Sequence, residues 1–159
     1  MTWLLYAALV LVAAVFAAGR AGLLSGKEPT DLGVKDGRLK RPSRTENSVS
    51  SQAGLYPEHP MKAYAEIAPI QLAGEGGAAI ERIRRIVESI EGARIVRAEP
   101  AYLYAQFQTR WLKFVDDVEF FAEEGAKVVQ VRLASRIGRR DFGVNRARIE
   151  AIRTRFAGQ

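Results

Sequence analysis

Alternating apolar and polar positions recur in three consecutive runs in the second half of the chain. In residues 102–110, Leu103, Ala105 and Phe107 share one side while Tyr102, Tyr104, Gln106 and Gln108 share the other, the period of two that a half-buried strand requires. Residues 114–121 set Phe114, Asp116, Val118 and Phe120 against Val115, Asp117, Glu119 and Phe121. Residues 128–136 set Val129, Val131, Leu133 and Ser135 against Val128, Gln130, Arg132, Ala134 and Arg136. A two-residue turn at Trp111-Leu112 predicts Leu103 opposite Phe120, Ala105 opposite Val118 and Phe107 opposite Asp116. A second turn at Glu124-Gly125 predicts Phe120 opposite Val129, Val118 opposite Val131 and Asp117 opposite Arg132. Both turns bring the apolar positions to one face, and a one-residue slip would undo that agreement.

Helical spacing appears on either side of these strands. Ile80, Ile83, Val87 and Ile90 form an apolar stripe with Glu81, Arg82, Arg84, Arg85 and Glu88 largely outside it, and Gly92 is a reasonable stop. Ile149, Ile152 and Phe156 form the stripe of a last helix that Asn145 can cap, flanked by Arg146 and Arg153 on one side and Arg148 and Arg155 on the other. Ala93 to Glu99 reads as a further strand in which either Ile95 or Val96 faces inward, and a strand is expected around 65–70, edged by Pro69. The predicted fold is α+β: an antiparallel β-meander sheet with two amphipathic helices packed on one face, preceded by a single N-terminal transmembrane helix.

That first helix is expected because residues 3–19 are uncharged and almost wholly apolar, and span about 25 Å as a helix, near the short limit for a bilayer. A cleavable signal peptide is the competing reading, but only Met1 and Thr2 precede the run and the usual basic region is missing, which favours retention. Arg20, Lys27, Lys35 and Arg38 all follow the run, so the positive-inside bias places the rest in the cytoplasm, with the periplasm as the alternative. Residues 21–46 carry Gly, Pro, Ser and mixed charge without lasting periodicity and read as a linker between an anchor at 1–20 and a globular domain at 47–159.

At 159 residues, 48% hydrophobic and 26% charged, the chain has room for one such domain. The net charge is +6, and seven arginines fall between Arg136 and Arg155 against Asp141 and Glu150, which suggests an anionic contact surface: lipid headgroups, an acidic protein or nucleic acid. The absence of cysteine excludes disulfides, thiolate zinc sites and a cysteine nucleophile. His59 is the sole histidine and lacks companions at metal-ligand spacing. Gly74-Glu75-Gly76-Gly77 lacks the lysine and hydroxyl residue of a phosphate loop and fits a flexible lead-in to a helix. No cofactor is expected.

Three polar features stand out as candidate sites. Asn47, Ser50 and Ser51 belong to the cluster Asn47-Ser48-Val49-Ser50-Ser51-Gln52, which can bind an anion or anchor its own loop. Asp116 falls among apolar neighbours and needs a partner, for which Arg110, Arg136, Asn145 and Arg146 are candidates. A buried ion pair that docks the last helix is favoured there over catalysis. Asp117 and Glu119 share the opposite face with Tyr104 and Arg132 in a cross-strand network. Adjacent Asp116 and Asp117 point to opposite faces, which argues against a carboxylate pair.

The blocks Asn47 to Gln52, Phe114-Val115-Asp116-Asp117-Val118-Glu119-Phe120, and Ser135-Arg136-Ile137-Gly138 with Phe142-Gly143-Val144-Asn145-Arg146 resemble family 1499 of the domains of unknown function, over about residues 32–156. That family occurs in bacteria and plant plastids, so the resemblance together with the apolar segment implies a bacterial inner membrane location. It implies no established activity, substrate or cofactor. Many members have cysteine where this chain has Ser48, so no thiol chemistry carries over.

The expected role is therefore a membrane-anchored, non-catalytic interaction domain, with a protein partner in the membrane or anionic lipid and with nucleic acid disfavoured because the aromatics are not interleaved with the arginines. Trp111 and Leu112 at a hairpin tip, with Tyr102, Tyr104 and Phe121 on the outer face, form the candidate surface unless the segment before the first helix covers it. A lipid or small-ligand domain, or an enzyme using Asn47, Ser50, Asp116 and Asn145, are the alternatives.

Overall fold

From the N-terminus, helix α1 (Thr2–Arg20) is followed by strand β1 (Ser48–Ser50), the short helix α2 (Lys62–Ala65), β2 (Ile70–Gln71), α3 (Gly76–Glu88), β3 (Ala93–Glu99), β4 (Tyr102–Gln108), β5 (Val115–Glu123), β6 (Val128–Ser135) and α4 (Val144–Ala157). The structure, a computed structural model, describes residues 2–72 and 74–158; the expected anchor and domain limits at 1 and 159 lie outside the described residues. β3 to β6 form an antiparallel meander, and β1 and β2 both pair with the free edge of β6, giving a six-stranded α+β sheet.

The first predicted hairpin is present in its expected register: Leu103 faces Phe120, Ala105 faces Val118 and Phe107 faces Asp116. The second hairpin is displaced by two residues, so that Phe120 faces Val131, Val118 faces Leu133 and Glu119, rather than Asp117, faces Arg132. The reason is a longer turn: Glu124–Ala126 form a single 3-10 turn and Lys127 adopts a left-handed conformation at φ 54°. Because strand side chains repeat every two residues, this displacement leaves the inward set unchanged.

The inward face of the sheet is dry. Ile80, Ile83 and Val87 of α3 and Ile149, Ile152 and Phe156 of α4 form one cluster with Leu103, Phe120, Val131 and Leu133 of the strands. Ile95 of the edge strand β3 packs against this cluster while Val96 is exposed, and a bulge between Ile95 and Arg97 intervenes. The chain between α3 and β3 must pass tightly under β4. A Cβ on Gly92, at φ 80°, would lie 2.3 Å from the Gln108 carbonyl oxygen, so only glycine fits there.

The expected strand at 65–70 is replaced by α2 and the two-residue β2. Pro69 has no N–H to give to a ladder, and the carbonyls of Ala68 and Pro69 instead accept hydrogen bonds from the Arg153 guanidinium at 2.6 and 2.5 Å. α1 lies apart from the core, exposed along almost its whole length, and is long and apolar enough to cross a bilayer by length and composition, as a signal sequence also is.

Candidate functional site

The outer face of the sheet is polar and sealed. Glu119 is fully buried, and one of its oxygens accepts hydrogen bonds from the Tyr102 hydroxyl and the Gly33 backbone N–H, both at 2.8 Å. Its other oxygen faces the Arg132 guanidinium at 3.4 Å. Asp117 takes a bidentate pair from Arg136, 2.8 Å on each arm, and a hydrogen bond from the Tyr104 hydroxyl at 2.6 Å. Burial and then the Asp117 hydrogen bond push the Tyr104 hydroxyl up to about 12, while burial lowers the Arg132 guanidinium from its ordinary value against the pull of Glu119. These groups form a satisfied structural network.

The cover is the segment expected to be a linker. Leu39, Leu32 and Val34 pack on Tyr102, Tyr104 and Phe121. The segment has no repeating pattern because side chains from the domain bind its backbone: Leu39 N–H donates to Gln52 Oε1 at 2.8 Å, and Gln52 Nε2 donates to the Gly37 carbonyl at 2.9 Å. Tyr102 and Tyr104 are consequently 3% and 6% exposed and do not form a docking surface, and Phe121 is half-covered.

The serine and asparagine block is likewise engaged inside the protein, mostly with backbone groups of β6 and the segment after it. Asn47 Nδ2 donates to the carbonyls of Ser135 and Gly138, Asn145 Nδ2 donates to the Asn47 carbonyl at 3.0 Å, and the Val131 N–H donates to Ser51 Oγ. The buried Ser50 hydroxyl accepts the Gln52 N–H. Asn145 does not cap α4. It is the second residue of that helix, and the Asp141 carboxylate takes the N–H groups of Gly143 and Asn145 in the capping role. Tyr64 donates its hydroxyl to Asp141, and Arg146 binds the Tyr64 carbonyl at 2.6 Å rather than reaching Asp116.

Asp116 is paired, but with none of the four expected partners. Arg148 of α4 reaches it at 2.7 Å while its guanidinium lies 4.5 Å from the Phe107 ring centroid. Arg148 was visible only as a flanking arginine, because the phase of α4 depends on where the helix begins. Asp116 and Asp117 lie on opposite faces, each with its own arginine. Among the described residues no group of three or more His, Cys, Asp or Glu side chains is placed to hold a metal ion.

One end of the sheet remains open. The β4–β5 hairpin, the last residues of β6 and the base of α1 meet there. Trp111 is 59% exposed, and its ring lies edge-on to Phe16 of α1 with centroids 6.3 Å apart. Gly19 is the buried residue of α1, since a Cβ there would come within 2.9 Å of the Leu112 backbone. Beside this contact is a polar groove of about 860 Å³ lined by Ser25 and Glu28 after α1, by Glu91 and Arg94, and by Gln108, Arg110 and Lys113 of the hairpin. Phe142, part of the third resemblance block but not among the candidate site residues, is 90% exposed in a left-handed conformation just before α4.

The profile of the family described as "Protein of unknown function (DUF1499)" matches residues 38–156, most of the chain. The chain belongs to the DUF1499 family. No curated protein and no solved structure matches it. The matched DUF1499 region contains the whole sheet, α3, all but the last residue of α4, the Asn47–Asn145 contacts and the ion pairs of Asp116, Asp117 and Glu119. It begins just before Leu39, so α1 and the first part of the cover lie before the DUF1499 match. The open groove is therefore built from both parts: Ser25 and Glu28 precede the match, and the other lining residues fall within it.

Proposed function

We propose that the protein is a membrane-tethered, non-catalytic binding domain whose recognition surface is the hairpin end of the sheet. The observation that carries this reading is the contact of Trp111 with Phe16 and of Leu112 with Gly19, which holds the hairpin tip against the base of the apolar helix. With α1 as a single span, Trp111 sits at the headgroup level that tryptophan favours. The cationic excess after α1 supports a cytoplasmic domain at a bacterial inner membrane. The non-catalytic part is supported by Asp116, Asp117 and Glu119, each held by an arginine or tyrosine in a packed setting.

A photo-crosslinking side chain placed at Trp111 of the full chain in native membranes is the test, with the same side chain at Gly125 as control. Gly125 lies in the β5–β6 turn, at the opposite end of the sheet. Adducts to lipid or to a membrane protein from position 111 and none from 125 are expected. Equal labelling from both positions, or none from 111, would overturn the reading.

A further inference from the structure

We propose that the groove between the β4–β5 hairpin and the base of α1 binds the phosphate headgroup of an anionic phospholipid; this rests on the membrane-tethered reading above. Five cations line the groove, and they fall into two sets. Arg136 and Arg148 are held by Asp117 and Asp116 at 2.8 and 2.7 Å and serve as fixed walls. Arg94, Arg110 and Lys113 make no ion pair among the described residues: Arg94 donates only to Gln106 Oε1, and Arg110 lies over the Trp111 ring at 5.1 Å. Of the two acids, Glu28 faces Arg136 at 3.8 Å, leaving Glu91 as the one opposing charge without a cation.

Unpaired cations gathered in one concavity repel each other and favour an anion between them. A phosphodiester offers one negative charge on oxygens that guanidinium and ammonium groups bind well. Location selects the source of that anion. Ser25 and Glu28 line the groove only a few residues after α1 ends, so with α1 in a bilayer the groove opens at headgroup depth. The walls are polar side chains, suited to a phosphate and its glycerol and unsuited to acyl chains, which remain in the bilayer beside α1. The groove is also much larger than a phosphate ion alone needs.

The test uses the full chain in nanodiscs of equal phosphatidylglycerol and phosphatidylcholine, with the lipids retained on the protein counted by native mass spectrometry after extraction. Phosphatidylglycerol is expected to be enriched over the mixing ratio. The double variant Arg110→Gln, Lys113→Gln should lower that enrichment by roughly fivefold per cation removed. Glu91→Gln should raise it, a gain that damage to the fold cannot produce. Retention at the mixing ratio, or enrichment unchanged in the double variant, would overturn the proposal. Displacement of the lipid by millimolar inorganic phosphate would assign the groove to a free anion instead and overturn the lipid source. A chain that fails to insert into nanodiscs refutes the tethered reading itself, whereas one that inserts without lipid preference refutes only this inference.

Discussion

The two faces of this sheet come from the same strands, with side chains alternating residue by residue, yet they are closed by different physics. The inner face shares one apolar cluster with α3 and α4, whose stripes are buried with Leu103, Phe120 and Val131 without directional demands. The outer face carries Tyr102, Tyr104, Asp117, Glu119 and Arg132, and is covered by an irregular segment held by individual hydrogen bonds such as Gly33 to Glu119. A dry face tolerates small changes of shape, whereas a buried polar face fails as soon as one partner leaves.

The sharpest way to break that contrast is at Glu119. Removing its carboxylate in Glu119→Ala leaves Arg132 buried without its charge partner, and a loss of about 3–5 kcal/mol is expected in urea unfolding of the full chain in detergent. The double variant Glu119→Gln, Arg132→Met should recover much of that loss, because it strands neither charge and keeps an acceptor for the Tyr102 hydroxyl and the Gly33 N–H. If the double variant is as unstable as the single one, the outer face is not governed by charge pairing.

On the inner face Ile83→Ala is expected to destabilise by about 2–5 kcal/mol through a cavity, with Ile83→Val recovering most of it. Glu119→Gln should recover little by comparison, since it keeps the shape and loses the charge. A smaller effect distinguishes the faces by pH. The Tyr104 hydroxyl is held near 12 in the folded chain and titrates near 10 when unfolded. Between those values the unfolded chain has released a proton that the folded chain keeps, so stability should fall as pH rises from about 10 to 12, by an amount on the order of 2 kcal/mol. Tyr104→Phe should make that slope shallower and leave the part due to Tyr102, whose hydroxyl burial and Glu119 raise further still, which urea midpoints at a series of alkaline pH values would reveal. Smallest of all, Phe142→Ser should change stability by no more than about 0.5 kcal/mol, given its exposure.

The inner face was legible in the sequence because burial against a helix leaves a period in both partners. Leu103 with Phe120 and the stripe Ile80, Ile83, Val87 could each be read alone. The two-residue displacement of β6 was illegible for the same reason, since it preserves the period and depends on the 3-10 turn before Lys127. The cover over residues 32–39 left no period because its backbone bonds go to side chains such as Glu119 and Gln52, distant in sequence. Asp116 announced that a partner was needed, but Arg148 could be named only once α4 was known to start at Val144, with Asp141 and not Asn145 in the capping role. Trp111 was legible as a candidate contact, while its packing on Phe16 joins segments with no local signal between them.

The claim on which the functional account depends is that the Trp111 hairpin lies at the bilayer surface. It is tested most directly by the fluorescence of Trp111 in a full-length Trp3→Phe variant placed in nanodiscs with and without lipids brominated near the headgroup. The account predicts strong quenching by the brominated lipids and a spectrum shifted to the blue of the detergent-free domain. An unquenched, water-like Trp111 spectrum from a chain that is inserted in the nanodisc would contradict it.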